Sequence, residues 1–204
     1  MEKQLYTDWL VLSQQKDTKV AQQCFETVIK YYQQKHRFYH TLTHLNDVFT
    51  QLKKLQLSTY DRLILAHVTL FHDVIYDSSS KENEFQSAQF AEKWLLKLKV
   101  VKNDIAYIKE IIIDTATHIS DDPLARLFFD MDMTILGTPK DVYEAYTEAI
   151  QKEYSTIPKL LYRIGRKRFI KQLLSREWIF NTKGCRDSFE KQARVNLSCE
   201  LKSL

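Results

Sequence analysis

The chain has 204 residues, a formal net charge of +4 and a hydrophobic fraction of 44%, which is enough apolar material for one sizeable core. It contains only three glycines and three prolines, fewer than all-β folds or glycine-rich nucleotide cradles use in their turns. The mild charge gives no reason to expect a nucleic-acid partner. The composition therefore indicates helices joined by short connections.

The sequence lacks the features of membrane-spanning, secreted or disulfide-stabilised chains. Apolar runs such as Ile111–Ile113 are far shorter than the roughly 20 residues of a membrane span. The N-terminus has no basic run followed by an apolar segment. Cys24, Cys185 and Cys199 are odd in number and form no C-x-x-C pair, which favours reduced thiols. We expect a cytoplasmic protein with no membrane partner.

Apolar residues recur at helical spacing along almost the whole chain. A first helix is predicted over about 2–14, and Asp17 is the expected cap of a second helix that runs to about 34. After a connection, helices are predicted over about 42–56 and from about Ser58 to about 74. The last of these is apolar on most sides, which predicts a position in the middle of a helical bundle.

The second half of the chain shows the same spacing after a polar stretch over 76–83. Asp122 followed by Pro123 is a favourable helix start, and Gly137 is the expected end of that helix. The helices predicted here cover about 84–99, 102–117, 122–137, 138–154, 158–175 and 186–202. The sequence thus predicts an all-α fold of about ten helices in a single compact domain, 1–204.

The histidines and their neighbouring aspartates are the unusual feature of these helices. All six histidines lie between residues 36 and 118, and His72-Asp73 ends the most hydrophobic helix. Burying an imidazole and a carboxylate there is costly unless they pair or bind a metal. Asp130 and Asp132 interrupt another apolar helix, and because they are two residues apart only one of them can point inward.

These segments together offer imidazole nitrogens and carboxylate oxygens from three separate helices. His40 and His44 are four residues apart and share one face if their segment is helical. Mixed nitrogen and oxygen ligands suit Mn, Fe, Co, Ni, Zn or Mg. The alternative for His72-Asp73 is a core histidine hydrogen-bonded to its neighbour. His36 and His67 are interpreted as structural.

The order of these residues carries a resemblance to a known family. His44, His72-Asp73 and Asp132 resemble the H…HD…D signature of the HD superfamily of metal-dependent phosphohydrolases, and in particular a group of small predicted bacterial members. The likeness covers about 39–197. The matching stretches are Tyr39-His40-Thr41-x-x-His44-Leu45, Phe71-His72-Asp73-x-x-Tyr76-Asp77, Asn83-Glu84-x-x-Ser87-Ala88, Ala116-Thr117-His118, Asp130-x-Asp132-x-x-Ile135-Leu136-Gly137, Gly165-Arg166 and Ala193-Arg194-x-Asn196-Leu197.

The resemblance implies an HD-type helical domain with a divalent metal ion at its centre, in the stretch of about 39–137. His44, His72, Asp73 and Asp132 would be the metal ligands. Members of the superfamily hydrolyse phosphate monoesters and diesters, including nucleotides, so we expect a small phosphorylated substrate, with a nucleotide favoured. Neither the metal's identity nor the number of ions follows from the sequence.

Further residues are expected to act beside the metal. Asp73 would also orient the attacking water, and Asp77 would transfer a proton if it lies one helical turn beyond the His-Asp pair. Glu84 is the reserve carboxylate for that role. His40, Glu84, His118 and Arg166 are candidates for the substrate side. Asp77 could instead cap a turn, and the basic run that contains Arg166 could be a solvated face.

Three other functions stay open at this stage. The first is an HD module that senses or binds a nucleotide without turning it over. The second is nucleic-acid binding through the basic run at 163–171, which the mild net charge disfavours. The third is oxidative chemistry at a di-iron centre, which some HD-fold proteins perform. The oligomeric state is open as well, a homo-oligomer included.

Overall fold

The structure is a computed structural model that describes all 204 residues. It is all-α, as the sequence predicts, with ten helices and no strand. The last of the ten is continuous and consists of an α-helical turn (Lys183–Cys185), a π-helical turn (Arg186–Glu190) and a longer α-helix (Lys191–Ser203), of which the two α-helical parts carry separate labels below. No helix combines the length and the apolar character that crossing a membrane requires. The helices are α1 (Glu2–Ser13), α2 (Lys19–Tyr32), α3 (Leu42–Lys54), α4 (Thr59–Phe71), α5 (Asn83–Lys97), α6 (Lys102–Asp114), α7 (Pro123–Met133), α8 (Lys140–Glu153), α9 (Lys159–Leu174), α10 (Lys183–Cys185) and α11 (Lys191–Ser203).

Two of the predicted helix starts are confirmed by their side-chain caps. The hydroxyl of Ser58 accepts the backbone N–H of Asp61 at 3.0 Å and donates to the Asp61 carboxylate at 2.7 Å. The carboxylate of Asp122 accepts the N–H of Ala125 at 2.7 Å. The N–H groups of Asp61 and Ala125 are among those that the first turn of a helix leaves without a partner, and these caps satisfy them.

The predicted cap of α2 is wrong by one residue. Thr18 is the cap, and its hydroxyl accepts the N–H of Ala21 at 3.1 Å. Asp17 lies outside the helix, where its carboxylate accepts hydrogen bonds from Tyr6 and Gln22. Both residue types favour this position, and the sequence alone does not show which of two adjacent candidates adopts the extended cap conformation.

The chain divides into two compact units, Met1–Ala125 and Arg126–Leu204, and the boundary falls inside α7. In the first unit α4 packs against α1, α3, α5 and α6. All its residues from Ile64 to Phe71 are buried, which confirms its predicted central position. The single domain predicted from the sequence stays a prediction.

The second unit is built around its own apolar core. A glycine permits one close approach there, because a Cβ on Gly137 would lie 2.5 Å from the Cβ of Phe189. A 3-10 turn, Thr134–Gly137, follows α7 directly, so the helical segment ends at Gly137 as predicted. The core residues are Met133, Leu136, Tyr143, Ile170, Leu173, Ile179, Phe180, Ala193 and Leu197.

The central helix α4 ends at Phe71, three residues before its predicted end. Beyond it, the carbonyl oxygens of Asp73 and Val74 accept hydrogen bonds from the guanidinium of Arg37. These contacts are long-range in sequence, so periodicity could not reveal them. The early end of α4 puts His72 and Asp73 in a turn at the end of the helix.

Candidate metal centre

Two histidines of the first unit are brought together by the ends of α3 and α4. His44 lies in the first turn of α3, which Thr41 caps, and His72 directly follows α4. Because α3 packs against α4, the Nε2 atoms of the two rings lie 3.2 Å apart. Both residues are buried, with 5% and 1% of their surface exposed.

The carboxylate of Asp73 completes a triangle with these two nitrogens. Its Oδ2 atom lies 3.2 Å from Nε2 of His72 and 3.7 Å from Nε2 of His44. The point equidistant from the three atoms is about 2.0 Å from each, close to the roughly 2.0–2.2 Å of divalent metal bonds to nitrogen and oxygen. These three side chains therefore fit a shared divalent ion.

The ring of His72 is oriented by the backbone of its own helix. Its Nδ1 atom lies 3.0 Å from the carbonyl oxygen of Thr69, and because a carbonyl only accepts, Nδ1 carries the proton. In the neutral ring, Nε2 then presents a lone pair to the Asp73 carboxylate. A cation between these two acceptors would remove their repulsion, and such a contact on the opposite ring nitrogen is typical of metal-binding histidines.

Asp132, the other expected carboxylate ligand, lies near the end of α7 in the second unit, and its role as a ligand stays a prediction. The fully buried Asp130 has a different role, because its oxygens accept the backbone N–H groups of residues 181–182 at 2.7 and 2.6 Å. Contacts far away in sequence thus engage Asp130 within the second unit.

His40 lies beside the triangle and is surrounded by aromatic rings. Its Nε2 atom is 3.9 Å from Oδ2 of Asp73. Its ring packs on Tyr76 with centroids 4.2 Å apart, and the ring of Tyr39 lies 5.0 Å away on centroids. A third imidazole therefore borders the candidate ligands, within the same unit.

Arg37 is a site residue that the sequence did not reveal. It is 5% exposed, and its guanidinium donates to the carbonyl oxygens of His40, Asp73 and Val74 at 3.2, 2.7 and 2.9 Å. One arginine in a polar connection has no pattern that distinguishes it from a surface arginine. Its proximity to the matched Tyr39-His40 stretch was the only available signal.

The predicted proton-transfer residues lie in and after the loop that follows the His-Asp pair. Asp77 is exposed, and its carboxylate accepts hydrogen bonds from the N–H and hydroxyl of Ser79 at 2.8 and 2.7 Å. Both hydrogen bonds lower the pKa of Asp77, and the one from the Ser79 hydroxyl has the larger effect. Because α4 ends at Phe71, Asp77 does not lie one helical turn beyond His72-Asp73. Glu84 is half-buried in the first turn of α5, and both roles stay predictions.

The two remaining predicted substrate residues occupy different units. His118 follows α6 in the left-handed region with φ 53°, which is uncommon for a residue other than glycine, and its N–H donates to the carbonyl of Asp114. Arg166 lies in the second unit, where it forms a two-point ion pair with Glu200 at 2.7 and 3.0 Å. Their contact with a substrate stays a prediction.

Comparisons with protein-family models, with curated proteins and with solved structures returned no match. The side chains themselves therefore carry the interpretation of the site. The two imidazoles and the Asp73 carboxylate of the first unit form a mixed nitrogen and oxygen donor set, which suits divalent first-row metals and magnesium. The site is a candidate metal centre by this chemistry.

Proposed function

We propose that this chain is a metal-dependent phosphohydrolase of the HD superfamily. It would act on a phosphate monoester or diester, with a small nucleotide as the favoured substrate class, in the cytoplasm. The observation that carries the proposal is the triangle formed by Nε2 of His44, Nε2 of His72 and Oδ2 of Asp73. Its dimensions match one shared divalent ion.

The proposed ligands are His44, His72, Asp73 and Asp132. When bound, a divalent ion supplies Lewis acidity, which lowers the pKa of a bound water towards ~7 and polarises a phosphoryl oxygen. The chain's own contribution is orientation, because the Thr69 carbonyl holds the His72 ring with its lone pair towards Asp73. One oxygen of Asp73 faces the histidines, and the other would orient the attacking water.

The substrate side would be formed by groups that border these ligands. His40 would donate a hydrogen bond from its Nε2 atom to a phosphate oxygen. This atom borders the Asp73 carboxylate but lies farther from it than the Nε2 atom of His72 does. Asp77 would return a proton to the leaving oxygen. For this step its carboxylate would have to give up the hydrogen bonds that it accepts from Ser79. Glu84 is the reserve for that step.

Elemental analysis of protein purified without chelator tests the ligand set. We expect a divalent metal in the wild type and at least ~10-fold less in Asp73→Ala, since a metal site that loses a ligand loses affinity. The matched control is Asp141→Ala, which removes the same charge from an exposed position in the first turn of α8. Equal metal content in wild type and Asp73→Ala would contradict the ligand assignment.

Phosphate release by the same proteins tests the reaction. The probes are p-nitrophenyl phosphate, bis-p-nitrophenyl phosphate and nucleoside mono-, di- and triphosphates, each with Mn²⁺, Co²⁺, Ni²⁺ or Mg²⁺ added. We expect turnover by the wild type and a loss of more than ~100-fold in Asp73→Ala, because metal catalysis supplies several kcal/mol. Metal-loaded protein that binds nucleotides without releasing phosphate would replace this proposal with a nucleotide-sensing module.

A further inference from the structure

Arg37 joins two segments that both carry candidate site residues. It lies in the connection between α2 and α3, and it donates to the carbonyl of His40 in that connection. The same guanidinium donates to the carbonyls of Asp73 and Val74, 36 and 37 positions away. The backbone carbonyls of His40 and Asp73 are thus bound by the same side chain.

The surroundings of Arg37 offer both aromatic rings and carbonyl oxygens to its guanidinium. The group lies over the rings of Tyr32 and Tyr76, 5.1 and 5.5 Å from their centroids, while its edge binds carbonyl oxygens. A planar cation with five fixed N–H groups can stack and donate at once. The single ammonium of a lysine cannot hold the same carbonyls in fixed directions.

The charge of Arg37 also fits its position. The C-terminal end of α4 is the negative end of the helix dipole, equivalent to roughly half an elementary charge. The Asp73 carboxylate adds a full negative charge at this end of the helix. A buried cation against the adjacent carbonyls offsets part of this charge.

We propose that Arg37 is the positioning residue of the metal centre. It fixes the Asp73 backbone, and through it the distance from Oδ2 to the two histidine nitrogens. This inference rests on the proposed metal site and adds a residue that acts through the backbone of Asp73. Replacement of Arg37 should weaken metal binding by ~10- to 100-fold. Losses of this size are typical when a group that holds a metal ligand in place is removed.

Co²⁺ titration of metal-free protein, followed by visible absorption, tests the proposal on the full chain. We expect Arg37→Lys to bind Co²⁺ ~10- to 100-fold more weakly than the wild type and with an altered absorption band. The control is Arg194→Lys, because Arg194 also donates to carbonyls just beyond a helix end, those of Arg176 and Glu177 at 2.9 and 2.8 Å. The control should lose thermal stability and keep the wild-type affinity and spectrum.

The outcomes separate this proposal from the one on which it rests. Wild-type affinity and an unchanged band in Arg37→Lys would overturn the positioning role while leaving the metal centre intact. A wild type that binds no Co²⁺, Mn²⁺ or Zn²⁺ would overturn the metal centre itself. If Arg37→Lys does not fold, Tyr32→Leu replaces it, because it removes one ring beneath the guanidinium, and the same weaker binding is expected.

Discussion

Two histidines of the same unit, His67 and His72, have opposite environments although they are only five residues apart. The Nε2 atom of His72 faces His44 and Asp73. The ring of His67 is fully buried, and its Nδ1 atom accepts the indole N–H of Trp9 at 3.4 Å. Burial without a charged partner lowers the pKa of His67 to about 3. It is a structural histidine, as its apolar setting predicts.

The low pKa of His67 predicts an acid sensitivity of folding. Between pH 6.5 and about 3 the unfolded chain binds a proton at this residue and the folded chain does not, so stability falls as the pH falls. The His67→Leu variant should show a smaller slope, by up to about 1.4 kcal/mol per pH unit. Urea unfolding at several pH values measures both slopes. Parallel slopes in the two proteins would mean that His67 titrates normally in the folded state.

At the scale of elements, the candidate site is assembled from helix ends and one connection. His44 lies at the start of α3, His72 follows the end of α4, and Arg37 and His40 lie between α2 and α3. Backbone groups at helix ends are available to side chains from elsewhere. The carbonyls beyond α4 can therefore bind Arg37, which they could not do inside a continuing helix.

Gly137 is the glycine whose replacement should be costly. A Cβ there would meet the backbone of Phe189, with its oxygen at 2.7 Å and its Cα at 2.9 Å. We expect Gly137→Ala to lower stability by about 3 kcal/mol, because the backbone cannot give way as a flexible side chain can. Thermal and urea unfolding measure the change.

Gly165 serves as the control for that substitution. It lies inside α9, and a Cβ there would meet nothing within 4 Å. Gly165→Ala should therefore raise stability by about 0.5–1 kcal/mol, the difference in helix propensity. Similar losses in both variants would show that the close packing at Phe189 does not explain the glycine at 137.

At the scale of the whole molecule, a bound metal should stabilise the folded chain. A ligand that binds only the folded state adds about 2.7 kcal/mol at 100 times its dissociation constant, or roughly 5–10 °C in the unfolding midpoint for a chain of this size. Mn²⁺ or Co²⁺ added to chelator-treated wild type should give this shift in differential scanning fluorimetry. An equal shift in Asp73→Ala would point to binding elsewhere.

The sequence indicated the helices and the ligand candidates because both depend on local rules. Hydrophobic periodicity placed α4 in the centre, and the cost of burying His72-Asp73 singled that pair out. It could not show that Arg37 binds the carbonyls beyond the end of α4, since Arg37 lies 36 positions from Asp73. Nor could it distinguish Asp130 from Asp132 by the backbone N–H groups that bind Asp130, because those groups lie far away in the sequence.

By itself, the sequence determined that the chain is helical and which imidazoles and carboxylates stand in apolar surroundings, because both follow from the order of residue types along the chain. Only the tertiary structure decided that His44, His72 and Asp73 form a triangle of metal-binding size and that Arg37 lies beneath it. Distances between residues far apart in sequence depend on how helices pack, and packing is a property of the folded chain.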